Sequence, residues 1–210
     1  MTIPRFYVPG PWTSDRITFP EKASHHAMRV LRMRNGDEAE VFDGEGRTAR
    51  GRTEFSSEGT VLIAESYPEH GRESPLFITL AQAFVSPDKM EWITEKAVEA
   101  GASRIVFFPA ARSVTKLSGD KLTKRLEKLR ATAVSACEQC GRSRIPEIET
   151  FASAEAMLSG LNADARVILA PLSDPGLALG AARSVVFAVG PEGGFSEEEL
   201  TLADGAGWTR

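Results

Sequence analysis

The chain has 210 residues, 42% of them hydrophobic and 26% charged, with a formal net charge of −4. This is the composition of a soluble globular protein with room for one large domain or two small ones, and it excludes a wholly basic nucleic-acid coat. No stretch approaches the length of a membrane span, the amino terminus carries no signal-peptide pattern, and two cysteines without an export signal point to a reducing cytoplasm.

The net charge hides an asymmetry. Residues 104–146 hold ten Lys and Arg against three Asp and Glu, a net of +7, whereas residues 147–210 hold three against ten, a net of −7. Such a block is the footprint a polyanion would use, or else a solvated basic helix face.

In chain order, Ile3-Pro4-Arg5-Phe6-Tyr7-Val8 reads as an extended segment. Residues 21–33 are expected to be helical, with Ala27, Val30, Leu31 and Met33 on one side and Asn35-Gly36 ending the helix. Three strands follow at 38–42, 48–55 and 60–67, joined by the turns Asp43–Gly46 and Ser56–Gly59. Short strands, one helix and tight turns predict a small β-barrel over residues 1–70, and the polar stretch around residues 71–75 reads as its linker.

From residue 76 to 210 the pattern alternates. Residues 76–84 form a buried strand, and Ser86-Pro87-Asp88 opens a helix that Gly101 closes. Residues 104–109 make the next strand, implying a right-handed parallel crossover. Residues 120–140 form a longer helix with Leu122, Leu126, Leu129, Ala133, Ala136 and Cys140 on one side and Lys121, Lys124, Arg125, Lys128 and Arg130 exposed. A weak helix at 154–161 and strands at 166–171 and 184–189 complete an α/β domain with a parallel sheet.

The last strand empties into Gly190-Pro191-Glu192-Gly193-Gly194, and Ser196 followed by Glu199 is a capping box that starts a helix at once. Strand, glycine-rich turn and helix N-terminus together make a ligand-binding corner or, equally, a tight connector. The turn is neither a phosphate loop nor a dinucleotide turn. Arg112-Ser113-Val114 sits at the carboxyl end of another strand, where open parallel sheets bind ligands. Cys137-Glu138-Gln139-Cys140-Gly141-Arg142-Ser143-Arg144 is the densest polar cluster, and its guanidiniums suit phosphate and base recognition. Arginines supporting carbonyls at a helix end are the plainer reading. The Cys pair supplies two ligands where structural zinc needs four, and it ends its helix where a redox pair should begin one. His25 and His26 have no carboxylate placed to orient them.

Taken together, Ile3–Tyr7, His26 with Arg29–Met33, Phe42-Asp43-Gly44, Lys89-Met90-Glu91, Cys137–Glu147 and Val189–Gly194 resemble, in order and spacing, the RsmE family of small-subunit ribosomal RNA methyltransferases. The resemblance runs through nearly the whole chain. It implies a PUA-like RNA-binding β-barrel followed by a SPOUT-type α/β domain with a parallel sheet and a trefoil knot, acting as a homodimer on 16S rRNA in the small ribosomal subunit. It further implies transfer of a methyl group from S-adenosyl-L-methionine to N3 of a uridine, without a metal. By position, Leu169, Ala170, Pro171 and Val189, Gly190, Pro191, Glu192, Gly193, Gly194 should line the cofactor pocket. Arg5, Arg29, Arg32, Arg112, Gln139, Arg142 and Arg144 should meet RNA, with Glu138, Arg142 and Arg144 the catalytic candidates. Family members continue past the position of Arg210 with a stretch that closes the knot; either the chain lacks that stretch or the sequence as given omits it. Only a chain truly ending at Gly207-Trp208-Thr209-Arg210 is expected to bind cofactor poorly or not at all, without a complete knot. The alternatives are a non-catalytic RNA-binding protein and a SPOUT enzyme acting on another RNA.

Overall fold

Alternating buried and exposed side chains build the first sheet. The computed structural model describes residues 3–69, 73–170 and 179–210. Five strands, β1 (Arg5–Tyr7), β2 (Arg16–Thr18), β3 (Glu38–Phe42), β4 (Thr48–Ser56) and β5 (Gly59–Ser66), lie in the order β1-β3-β4-β5-β2. β1 runs parallel to β3, and the other neighbours are antiparallel. Phe6, Ile17, Phe19, Ala27, Val41 and Leu62 form the core on the sheet's inner face. The strand β2 carries too few residues to show a period, which is why it is silent in the sequence.

The helix expected over residues 21–33 is shorter than its pattern. Helix α1 (Glu21–His25) passes into a π-helical turn at His26–Val30, where the Leu31 amide reaches back to the His26 carbonyl at 3.0 Å. The wider turn breaks the 3.6-residue period, so of the four side chains expected on the inner face only Ala27 is fully buried. Val30 and Leu31 stand 61% and 44% exposed.

All but one of the remaining strands are mainly apolar runs, as a sheet covered on both faces requires. They are β6 (Phe77–Ala83), β7 (Arg104–Phe108), β8 (Glu147–Thr150), β9 (Ala165–Leu169) and β10 (Ser184–Val189), all parallel in the order β8-β7-β6-β10-β9. Between them run α2 (Pro87–Glu99), α3 (Gly119–Cys140) and α4 (Ala154–Gly160), and α5 (Glu197–Gly205) follows β10. The chain steps outward from β6 to β7 to β8, crosses to the far edge at β9, and returns to β10 beside β6. Strand order therefore reverses between β6 and β10, and the crevice at their carboxyl ends is where such sheets bind ligands. Past α5, Thr209 bonds both Arg166 and Ile168 along β9, and Trp208 is buried with its indole N–H on the Leu158 carbonyl.

By proximity the chain divides into two units, residues 1–73 with 134–145 and residues 74–133 with 146–210. The last turns of α3 and the loop after it thus belong with the first sheet.

Candidate active site

In the second unit the site is built at the strand-order reversal. Gln82, buried near the end of β6, donates from Nε2 to the carbonyls of Ala83 and Gly190, each at 3.1 Å. One amide thus ties together the ends of the two strands that flank the crevice. Gly190 begins a turn so tight that a Cβ there would lie 3.1 Å from both the Gly194 carbonyl carbon and the Phe195 amide nitrogen. The turn needs glycine for close backbone approach. Beside it, Val189 is in register with Leu169, which is 50% exposed at the end of β9.

The exit of the turn is pinned twice. Phe195 stacks on Phe108 of β7 with ring centres 6.3 Å apart, and Ser196 and Glu199 complete the expected capping box. Glu199 does more than cap. Its buried carboxylate accepts from Ser196 N–H at 2.9 Å and, through its other oxygen, from Ala111 N–H at 2.8 Å. The loop after β7 is thereby fixed to the loop after β10, and the neighbouring Arg112 donates from Nη1 to the Gly193 carbonyl at 2.9 Å. Arg112 itself is exposed. Glu192 pairs with Lys89 of α2 at 2.8 Å.

The first unit gathers the second cluster. Gly141 has φ +84 and ends α3, and the loop 141–145 lies against the turn after β3: Gly46 N–H bonds Ser143 O at 3.1 Å and Ile145 N–H bonds Gly44 O at 2.9 Å. A Cβ on Gly46, whose φ is +111, would fall 3.0 Å from Arg144 Nε, so glycine there lets the guanidinium lie flat on the backbone. Glu73 closes the loop. Its Oε2 accepts from Arg142 Nε and Nη2 at 3.1 and 2.8 Å, and its Oε1 accepts the amides of Ser143 and Arg144, both at 3.0 Å. Burial alone would raise the Glu73 carboxyl, but the Arg142 side chain and the two amides outweigh it and hold it below the ordinary carboxylate range.

The expected residues therefore fall into distinct states. Arg142 is only 4% exposed and lies on Glu73. Arg5 donates to Glu40, to the Cys137 and Arg142 carbonyls and to Ser143 Oγ, which makes it a clamp on the end of α3. Glu138 accepts the Tyr7 amide at 3.0 Å. Arg144 and Gln139 are exposed, as are Arg29 and Arg32 beside the π-helical turn. Pro171 lies outside the described residues. On α3 the basic face is partly neutralised: Arg125 and Lys128 both pair with Glu91, at 2.6 and 2.7 Å. Sequence reasoning missed Glu73, Gln82 and the second bond of Glu199. A lone acid in a polar linker and a lone amide in a buried strand carry no periodic signal, though a buried Gln required a partner.

Residues 72–210 match the family model of an RNA methyltransferase domain, and residues 19–64 match that of an RNA methyltransferase PUA domain. Ribosomal RNA small subunit methyltransferase E of Bacillus subtilis is 30% identical over 197 residues, covering 86% of this chain and 77% of that protein. The chain belongs to the ribosomal RNA small subunit methyltransferase E family. The Mycobacterium bovis member is 32% identical, covering 87% of this chain and 72% of its own. Among solved structures, the family member from Neisseria gonorrhoeae, bound to S-adenosyl methionine, superposes with a TM-score of 0.88 at 28% identity, over 99% of this chain and 88% of that one. A Legionella pneumophila structure in complex with SAM reaches 0.92 at 30% identity, with the same coverage. The PUA-like first unit and the parallel α/β second unit are thus those of this family's fold.

Proposed function

We propose that the chain methylates N3 of a uridine in 16S ribosomal RNA with S-adenosylmethionine as donor, as a cytoplasmic homodimer working on the small ribosomal subunit. The observation that carries this reading is the Gly190–Gly194 turn at the strand-order reversal, with Arg112 held on Gly193 beside it. Family membership supports it, as do relatives whose structures hold this cofactor.

The residues present fit the cofactor. A turn that passes so close to itself at Gly190 that a Cβ there would crowd the Gly194–Phe195 backbone, next to a half-exposed Leu169, offers close backbone approach and an apolar floor to a flat purine. Leu169, Ala170, Pro171 and Val189–Gly194 are the proposed holders. S-adenosylmethionine, when bound, supplies a methyl group already activated by its sulfonium. The chain's own task is orientation, which can contribute about 7–11 kcal/mol to such a transfer. N3 is hidden in a base pair, so the uridine must be unpaired or flipped. Arg112 is proposed to meet the base. Its anchor on Gly193 leaves further donors for uracil oxygens, where charge grows as N3–H loses its proton.

Glu138 is the proposed proton acceptor, with one oxygen on the Tyr7 amide and no donor on the other among the described residues. Exposed Arg144 and Gln139 are proposed to hold RNA, and buried Arg142 to act through Arg144 by fixing the loop on Glu73. Residues 1–70 form the proposed RNA-binding domain, 71–75 the linker and 76–210 the catalytic domain. Calorimetry with S-adenosylmethionine separates this reading from a purely RNA-binding protein: the reading requires saturable heat, and its absence overturns it.

A further inference from the structure

The π-helical turn leaves a group of side chains that neither core uses. Met28, Val30 and Leu31 are 37%, 61% and 44% exposed, next to one another and interleaved with Arg29 and Arg32. Arg32 has φ +54, and it is the one non-glycine residue with positive φ among the described residues. An L side chain seldom adopts that conformation, and π-helical turns concentrate at functional sites, so the knuckle is built against local preference. The guanidiniums of Arg29, Arg32 and Arg34 have no ion-pair or hydrogen-bond partner among the described residues.

Under the knuckle lies a cleft of about 460 Å³ lined by Met28, Arg29, Met33, Arg34, Asn35 and Phe55. It is shallow and open to solvent, and its lining carries two thioethers, two guanidiniums and one aromatic ring. Asn35 is held with its side-chain oxygen on the Phe55 amide at 2.6 Å, which fixes one polar group at the cleft's edge.

We propose that this knuckle captures an unpaired nucleotide of the substrate RNA, with its base in the cleft against Phe55 and Met33 and its flanking phosphates on Arg29, Arg32 and Arg34. Aromatic rings, guanidinium planes and polarisable side chains stack on splayed bases, while uncompensated arginines supply the phosphate contacts. A second copy of the chain is disfavoured as occupant, because it would bring the same three unneutralised positive charges to the same apolar tip. The proposal rests on the reading of the chain as an RNA-modifying enzyme. It adds that RNA is gripped at an unpaired position by residues that take no part in methyl transfer.

The test is fluorescence anisotropy of the chain with two RNA hairpins, identical except that one carries a single bulged nucleotide, over a salt series. Wild type is expected to favour the bulged hairpin on the order of tenfold. Met28→Ser and Phe55→Leu are expected to lose that preference while still binding the plain hairpin. Arg29→Ala with Arg34→Ala should weaken both hairpins alike and lower the salt slope by about 2. Circular dichroism of each variant shows whether it is folded. No preference in wild type, or a preference that survives Met28→Ser and Phe55→Leu in folded protein, overturns the proposal. So does a change in those variants confined to the sedimentation coefficient, which would make a second copy the occupant. Methyl transfer is measured on the same wild-type preparation. Bulge preference without transfer would sink the enzymatic reading and leave the knuckle's role standing.

Discussion

Glu73 grips Arg142 by two nitrogens on a single carboxylate oxygen, leaving the other oxygen for the amides of Ser143 and Arg144. A residue two positions before Pro75, in a stretch that reads as linker, is therefore the keystone of the loop that presents Arg144. Removing one partner of a buried charge pair costs about 3–5 kcal/mol. Glu73 retains 23% side-chain exposure, so about 2 kcal/mol is expected for Glu73→Ala, measured by urea unfolding. RNA affinity should fall with it.

The same pair sets a pH dependence. The Glu73 carboxyl is lowered from its ordinary value of 4.5, so its contribution is complete above about pH 4.5 and is lost as pH falls through the native-state value. The stability difference between wild type and Glu73→Gln should be constant near neutrality and shrink below about pH 4.5. A difference that grows on acidification would contradict the assignment.

Arg144 differs from Arg142 in being exposed while lying against Gly46. Arg144→Ala should weaken RNA binding, lower the salt slope by about 1 and leave cofactor affinity unchanged. An unaltered slope would give Arg144 a structural role alone.

At the turn, Gly190→Ala places a methyl group 3.1 Å from backbone atoms that cannot move aside without reshaping the loop. A loss in cofactor affinity on the order of tenfold or more is expected by calorimetry, with only a small change in Tm. Unchanged affinity would remove the turn from the cofactor site.

Much of this architecture was readable in advance. The capping box at Ser196 and Glu199 is a local signal, so both ends of the interaction are visible in four residues. Four of the five parallel strands carry their burial in apolar runs, whereas Glu147–Thr150 alternates charge with a single buried Ile148 and lies outside the expected strands. Residues 38–42 and 184–189 form strands over the spans expected. What stayed hidden depends on distance along the chain. Glu73 meets Arg142 across 69 residues, and Glu199 meets Ala111 across 88. The π-helical turn was hidden for a different reason: Val30 and Leu31 keep a helical apolar period that the backbone abandons.

Cys137 follows from the same loop. Burial pushes its thiol up to about 12, and Sγ contacts the Arg144 carbonyl at 3.6 Å. At pH 8 almost no thiolate exists, so native protein should resist alkylation at Cys137 and react there only after unfolding, as peptide mass spectrometry would show.

The most direct measurement incubates the chain with unmodified 30S subunits and methyl-labelled S-adenosylmethionine, then identifies the labelled nucleosides of 16S rRNA by mass spectrometry. The expected result is 3-methyluridine, lost in Arg112→Ala and Gly190→Ala. Subunit binding with no methylated nucleoside, or label on any other atom, would contradict it.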